Sequence, residues 1–123
     1  MLQLNDKYFS VVSKEGADNT FKYRLHLNAS HEVYKGHFPG NPISPGVCSI
    51  QTIRECCEDA LHNRLTIRSI KICRFSYLLT PTRCTEITVG LSITPNANDY
   101  TVVADITNGD ETFVSFKGTL ERQ

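Results

Sequence analysis

Only one stretch of this chain can form a long helix, and that limits the fold more than any other feature. In "SPGVCSIQTIRECCEDAL" the residues Val47, Ile50, Ile53, Cys57, Ala60 and Leu61 recur at three- and four-residue steps. That spacing puts them on one face of a helix. Ser44 can accept hydrogen bonds from first-turn amides, and Pro45 suits a first helical position, where no intrahelical partner is needed. The pattern predicts a helix from residue 45 to about residue 61. The remaining segments read as strands. "KYFSVVS" (7–13) is one, followed by a turn in "KEGADNT" with Gly16 and Asn19 as breakers. "FKYRLHLN" places Phe21, Tyr23, Leu25 and Leu27 on one face. After the helix come "LTIRSIKICRFSYLL", "CTEITVGLSITP", "DYTVVADIT" and "TFVSFKGTLE", with "PNAN" and "NGD" as hairpin turns. One helix cannot cover both faces of a parallel sheet. The expected class is therefore α+β, an antiparallel sheet of five to seven strands wrapped against a single helix.

The chain has 123 residues, which suits one domain spanning 1–123. A core of that size is modest and gains from a partner subunit. Thirteen basic and thirteen acidic residues balance, unlike a polybasic nucleic-acid binder. No stretch approaches the ~20 apolar residues of a membrane helix. "MLQLNDKYFS" lacks the basic-then-apolar order of a secretory signal. Five cysteines (48, 56, 57, 73 and 84), an odd number without CxxC spacing, read as reduced, small apolar side chains in a cytoplasmic protein.

Before the helix lies a loop rich in proline and glycine that carries one histidine, "GHFPGNPISPGV" (36–47). It resembles the active-site segment of the hot-dog-fold 3-hydroxyacyl-(acyl carrier protein) dehydratases of fatty acid synthesis. Gly36, His37, Phe38, Pro39, Gly40, Pro42, Pro45, Gly46 and Val47 all agree with it. Glu32 and Tyr34 upstream, and Arg74, Phe75 and Pro81 downstream, extend the likeness across residues 21–121. Thr82 and Arg83 depart from the Gly-Asp that usually follows the proline.

The resemblance implies a hot-dog fold, usually dimeric, with the catalytic histidine and the helix acid coming from different subunits. It implies that His37 is the base and that the Gly46 amide holds the thioester carbonyl. Both roles suit the positions. An imidazole titrates near neutral pH, and first-turn amides without intrahelical acceptors favour developing negative charge. Phe38, Val47 and Phe75 would line an apolar acyl tunnel. The reaction would be reversible dehydration of 3-hydroxyacyl to trans-2-enoyl thioesters. No cofactor or metal is implied; the substrate would ride on the phosphopantetheine of an acyl carrier protein.

The family's acid stands fourteen residues after the histidine, and here that position is Gln51. An amide hydrogen-bonds but has no acidic proton to give. Glu55 lies one turn later, where the family often has Gln, so the two residue types look exchanged on one helix face. Glu55 is the carboxylate within reach of that site; its ordinary role would be a partly exposed group paired with Arg54 or with a partner chain.

Loss of the acid leaves two alternatives to a dehydratase. One is a catalytically degenerate subunit that binds acyl carrier protein and pairs with an active relative. The other is an acyl thioesterase with a carboxylate base. The amide at 51 fits a specialised lipid pathway better than housekeeping fatty acid synthesis. Arg64, Arg68, Lys71 and Arg74 could form a basic rim for an acidic carrier protein. The expected assembly is a homodimer, or a heterodimer with a related subunit. His31, Glu32 and His37 match no strong metal motif.

Overall fold

The computed structural model describes residues 9–27, 46–75, 86–109 and 111–123. Their elements run β1 (Phe9–Ala17), β2 (Thr20–Leu27), α1 (Gly46–Leu61), β3 (Leu65–Phe75), β4 (Glu86–Pro95), β5 (Tyr100–Asn108) and β6 (Glu111–Arg122). The strands form one six-stranded sheet in the order β1-β2-β4-β5-β6-β3. Every neighbouring pair is antiparallel. This is the expected α+β hot-dog fold, one helix wrapped by the sheet. No helix among the described residues is long and apolar enough to cross a membrane.

The strand register explains the core. Side chains on one face of a pleated sheet repeat every second residue, so cross-strand partners build continuous rows. One row is Tyr23–Val89–Ile106–Val114–Phe75, and a second is Phe21–Leu91–Ala104–Phe116–Cys73. A third is Ile93–Val102–Gly118–Ile70. Through the middle of the sheet these residues are buried. At the β3 edge the rows run into solvent, where Ile70 is 45% and Phe75 52% exposed.

β3 also breaks the simple alternation of its sequence. Bulges fall between Ile67 and Ser69 and between Ile70 and Ile72. Arg68 and Lys71 are the extra residues, and absorbing them lets Ile67, Ile70, Cys73 and Phe75 share the inner face. Opposite them Gly118 is required by close approach, since a Cβ there would sit 2.6 Å from the Ser69 carbonyl oxygen.

The first hairpin differs from the sequence expectation. Lys14 to Ala17 belong to β1, and the turn is only Asp18–Asn19, both at positive φ (53° and 68°). Gly16 is not a breaker. It pairs with Phe21, whose ring lies where a Cβ on residue 16 would be. The turn at Gly109, with φ 58°, is as expected.

The helix is 16 residues, about 24 Å, long. It ends where His62 takes a left-handed conformation (φ 55°) and the Asn63 amide donates to the Glu58 carbonyl at 3.3 Å. That is the six-to-one bond of a Schellman cap. Ser44 and Pro45, expected to start the helix, lie outside the described residues.

Polar struts tie the helix to the strands. The Tyr23 hydroxyl donates to Asp59 Oδ2 at 2.7 Å, and Lys14 Nζ donates to the same oxygen at 3.0 Å. Arg54 Nη1 reaches Glu58 Oε2 at 3.4 Å and the Leu65 carbonyl at 3.3 Å, while the Leu65 amide donates to Glu58 at 2.9 Å. Burial, and then the bond to Asp59, push the Tyr23 phenol far above its ordinary range. The Tyr23 bond, followed by Lys14, holds the Asp59 carboxyl below its ordinary range despite partial burial.

Tyr23→Phe should lower unfolding stability by about 1 kcal/mol at neutral pH in urea titrations. Asp59 is depressed in the folded state, so its contribution is present above the ordinary carboxylate pKa and lost as pH falls through the folded value. The difference between Tyr23→Phe and wild type should therefore shrink below about pH 4.

Candidate active site

Gly46 opens α1, so its amide is one of the first-turn donors that no intrahelical carbonyl can reach. The Val47 side chain, with His37 and Phe38, lies outside what the structure describes, as do His31 and Glu32. Phe75 ends the inner-face row on β3 and sits half-exposed at the sheet edge. Among the proposed site residues, the described part of the structure thus brings together Gln51 and Glu55.

These two form a buried polar pair. Gln51 is 9% and Glu55 8% exposed. Gln51 Nε2 donates to Glu55 Oε2 at 3.0 Å. The i,i+4 spacing makes the bond possible, because helical side chains lean toward the N-terminus and a residue reaches back over the preceding turn. Glu55 is therefore not the partly exposed surface carboxylate that is its ordinary alternative. Arg54 instead makes the ion pair with Glu58 described above.

Polarity on this side of the helix was underestimated by the apolar stripe. Ile53 and Cys57 are buried as expected, whereas Ile50, Ala60 and Leu61 are only partly so. Ser49, Thr52 and Cys56 are buried together with Gln51 and Glu55. Thr52 Oγ1 donates to the Cys48 carbonyl at 2.7 Å, which satisfies its hydroxyl inside the helix. A helix surrounded by its sheet buries more than one face, and hydrophobic periodicity reports only the apolar one. A useful signal was nevertheless present: an amide and a carboxylate four apart, both capable of satisfying each other out of water.

Burial keeps the Cys56 and Cys57 thiols in their neutral form at neutral pH. Burial pushes Cys57 up to about 12 and Cys56 well above its ordinary value. Neither forms a disulfide, nor do Cys48 and Cys73. Among the described residues no cluster of His, Cys, Asp and Glu could hold a metal.

Glu55 also borders an open cleft of about 480 Å3 between the C-terminal half of α1 and the first hairpin, with Phe9, Tyr23, Arg54, Asp59 and His62 along its walls. Of the four basic residues expected at a rim, Arg68 is paired with Asp99 at 3.2 Å.

Comparison with known families identifies the chain's family and fold. The model of ApeI-like proteins, described as ApeI dehydratase, matches residues 13–117. The chain belongs to the ApeI-like dehydratase family. Solved structures share its fold. The dehydratase heterocomplex ApeI:P from Xenorhabdus doucetiae aligns with a TM-score of 0.74 at 22% identity, covering 93% of this chain and 98% of that one. An uncharacterized protein from Erwinia carotovora subsp. atroseptica aligns at 0.63 and 20%, covering 94% and 95%. The dehydratase domain from the CurJ module of curacin polyketide synthase aligns at 0.59 and 12%, covering 92% of this chain and 42% of that one. No curated protein sequence matches the chain.

The pair's chemistry can be checked without any substrate. Gln51→Glu would set two carboxylates against each other in a buried site, where they can hold only one charge comfortably. The variant should lose roughly 1–3 kcal/mol at pH 7. Its folded-state carboxyl would be raised, so stability relative to wild type should recover as pH falls through that raised value, and most of the recovery should be complete by about pH 4. The double exchange Gln51→Glu with Glu55→Gln reverses donor and acceptor and should return most of the loss. Urea unfolding of all four proteins at pH 7 and pH 4 measures the cycle.

Proposed function

We propose that this chain is one subunit of a two-component dehydratase for 3-hydroxyacyl thioesters carried on acyl carrier protein. It acts as one hot-dog domain over its 123 residues, in the cytoplasm, in fatty acid or specialised lipid synthesis. Its His37 serves as base, and a related subunit supplies the acid. The observation that carries this reading is Gln51. A buried amide, engaged with Glu55, stands at the position of the family's proton donor.

The reaction removes a proton from C2 and breaks the C3–O bond. The two electrons of the C2–H bond become the C2=C3 double bond, and the leaving hydroxyl takes a proton to become water. His37 accepts the first proton. The Gly46 amide steadies the charge that collects on the thioester oxygen. The second proton needs a group with an acidic hydrogen, and Gln51 has none.

In the hot-dog dehydratases each site joins the histidine of one subunit to the helix of the other. Pairing this chain with a relative that bears Asp or Glu at the matching helix position makes one complete site, from His37 and the relative's acid. Two observations support a partner. The inner-face rows run off the sheet at β3, leaving Ile70 and Phe75 uncovered. The similar ApeI:P structure is itself a heterocomplex. Phe38 and Val47 remain the proposed tunnel lining, and Phe75 stands where a partner would close the tunnel's edge.

With 3-hydroxyacyl-carrier protein as substrate, the chain alone should turn over slowly. The double exchange Gln51→Glu with Glu55→Gln restores a donor in each site of a homodimer and should raise the rate about 100-fold or more. Adding His37→Ala to that variant should remove the gain. Fast turnover by the wild-type chain alone, or a double exchange that stays slow, would refute the two-component reading.

A further inference from the structure

The outer face of the sheet carries charges in an order that the core does not explain. Residues alternating with the buried rows form a row of their own, Glu15–Lys22–Gly90–Asp105–Ser115, across β1, β2, β4, β5 and β6. Glu15, Lys22 and Asp105 are exposed. Among the described residues none of these three makes an ion pair. Lys22 and Asp105 stand two strands apart, roughly 10 Å, too far to meet each other within one chain. Gly90 lies between them. It presents no side chain, and the Asp105 carboxylate leans over it, since a Cβ on residue 90 would be 2.6 Å from Asp105 Oδ1. The neighbouring row runs Thr20–Ser92–Val103–Lys117, with Val103 48% exposed. An open groove of about 490 Å3 lies over these strands.

We propose that this face is an interface between two copies of the chain, related by a two-fold axis that runs along β4 at Gly90. Such an axis exchanges the strands on either side of β4, so β2 of one copy lies over β5 of the other. Lys22 then faces Asp105 of the second copy, and symmetry forms the same contact twice. One strand further out, Glu15 faces Ser115 of the second copy, with Lys117 two residues along that strand. Val103 packs on Thr20, and Gly90 meets Gly90. Packed sheets lie about 10 Å apart, a span that a Lys and an Asp side chain cover together. The row is thus complementary to itself, with opposite charges at equal distances on either side of a residue that has no side chain. The contact uses the outer face and leaves the β3 edge free for a related subunit, so it joins two such pairs back to back. It goes beyond the two-component reading and does not depend on it.

The test is light scattering of the whole chain after gel filtration, at matched concentration and low salt, with melting temperatures to show that each variant is folded. Wild type should have about twice the mass of Lys22→Glu and of Asp105→Lys, because either reversal sets like charges together at both symmetric pairs. Each should weaken the association roughly 100-fold or more. Lys22→Glu combined with Asp105→Lys exchanges the two signs and should return the wild-type mass. The two groups do not touch within one chain, so that recovery reports a contact between copies. Ser92→Arg lies on the axis, sets a cation against its own copy and should also halve the mass. Wild-type association should weaken as salt rises. A wild-type mass equal to that of the reversals overturns the proposal. So does a folded double exchange that stays at the lower mass, or a Ser92→Arg protein that keeps the higher one. If wild type has the lower mass and instead binds an acidic acyl carrier protein that Lys22→Glu no longer holds, the face belongs to that partner and the pairing of copies is wrong. None of these readouts involves turnover, so their failure leaves the two-component reading standing.

Discussion

One helix inside one curved sheet sets the terms for the rest of this molecule. A helix on the surface can keep its polar side chains in water. Here α1 is enclosed, and even Ser49, Gln51, Thr52 and Glu55 are buried. Each of those groups must find a partner within the protein or carry a desolvation penalty of about 1–3 kcal/mol. Among the described residues none has been left unsatisfied. Thr52 bonds its own helix, and Gln51 and Glu55 bond each other. The catalytic question is therefore inseparable from the packing question. The same burial that makes a proton donor effective makes its neighbour's charge matter.

The sheet answers the enclosure from its side. Its rows of Val, Ile, Leu and Phe fill the inner face from β2 to β6, and the row ends on β3 stay uncovered. Edge strands present unpaired backbone groups and invite another chain, and natural edges are usually blunted by charges and bulges. β3 carries both devices, with Arg68 and Lys71 in its bulges. Yet it keeps Ile70, Ile72 and Phe75 exposed. A strand that limits indiscriminate pairing while retaining apolar side chains is suited to a specific partner.

Much of the fold was legible because its signals are periodic. The stripe through Ile53 and Cys57 located the helix, alternation located β2, and strand-like runs bounded by turn signals located β4–β6, whose buried residues recur mostly at every second position. Periodicity failed where the backbone departs from regularity. The bulges of β3 cannot be seen in "LTIRSIKICRF", and Gly16 reads as a turn until Phe21 is found lying over it. At the site, the spacing of Gln51 and Glu55 predicted a shared face, which the hydrogen bond bears out. It did not predict that the face would be buried, because burial here follows from the curvature of a sheet that is distant in sequence. The roles of His37, Phe38 and Val47 rest on the resemblance of the loop, of which residues 36–45 and the Val47 side chain lie outside the described structure.

Gln51 and Glu55 also constrain each other as a pair. Two carboxylates at these positions would repel in a low-dielectric site, and two amides would bond without a fixed sense. The combinations that satisfy the burial and fix the geometry are one acid and one amide, in either order. A chain with the acid first has a proton donor at position 51, with an amide behind it as support. A chain with the amide first keeps the same hydrogen bond and the same packing, but its acid sits a turn, about 5.4 Å, further along the helix. That distance exceeds the ~1 Å tolerance of a positioned catalytic group. Exchange of the two side chains is thus a way to lose the proton donor without destabilising the core. Under the two-component reading proposed above, such a helix still packs, and the proton it has no acid to give comes from another subunit.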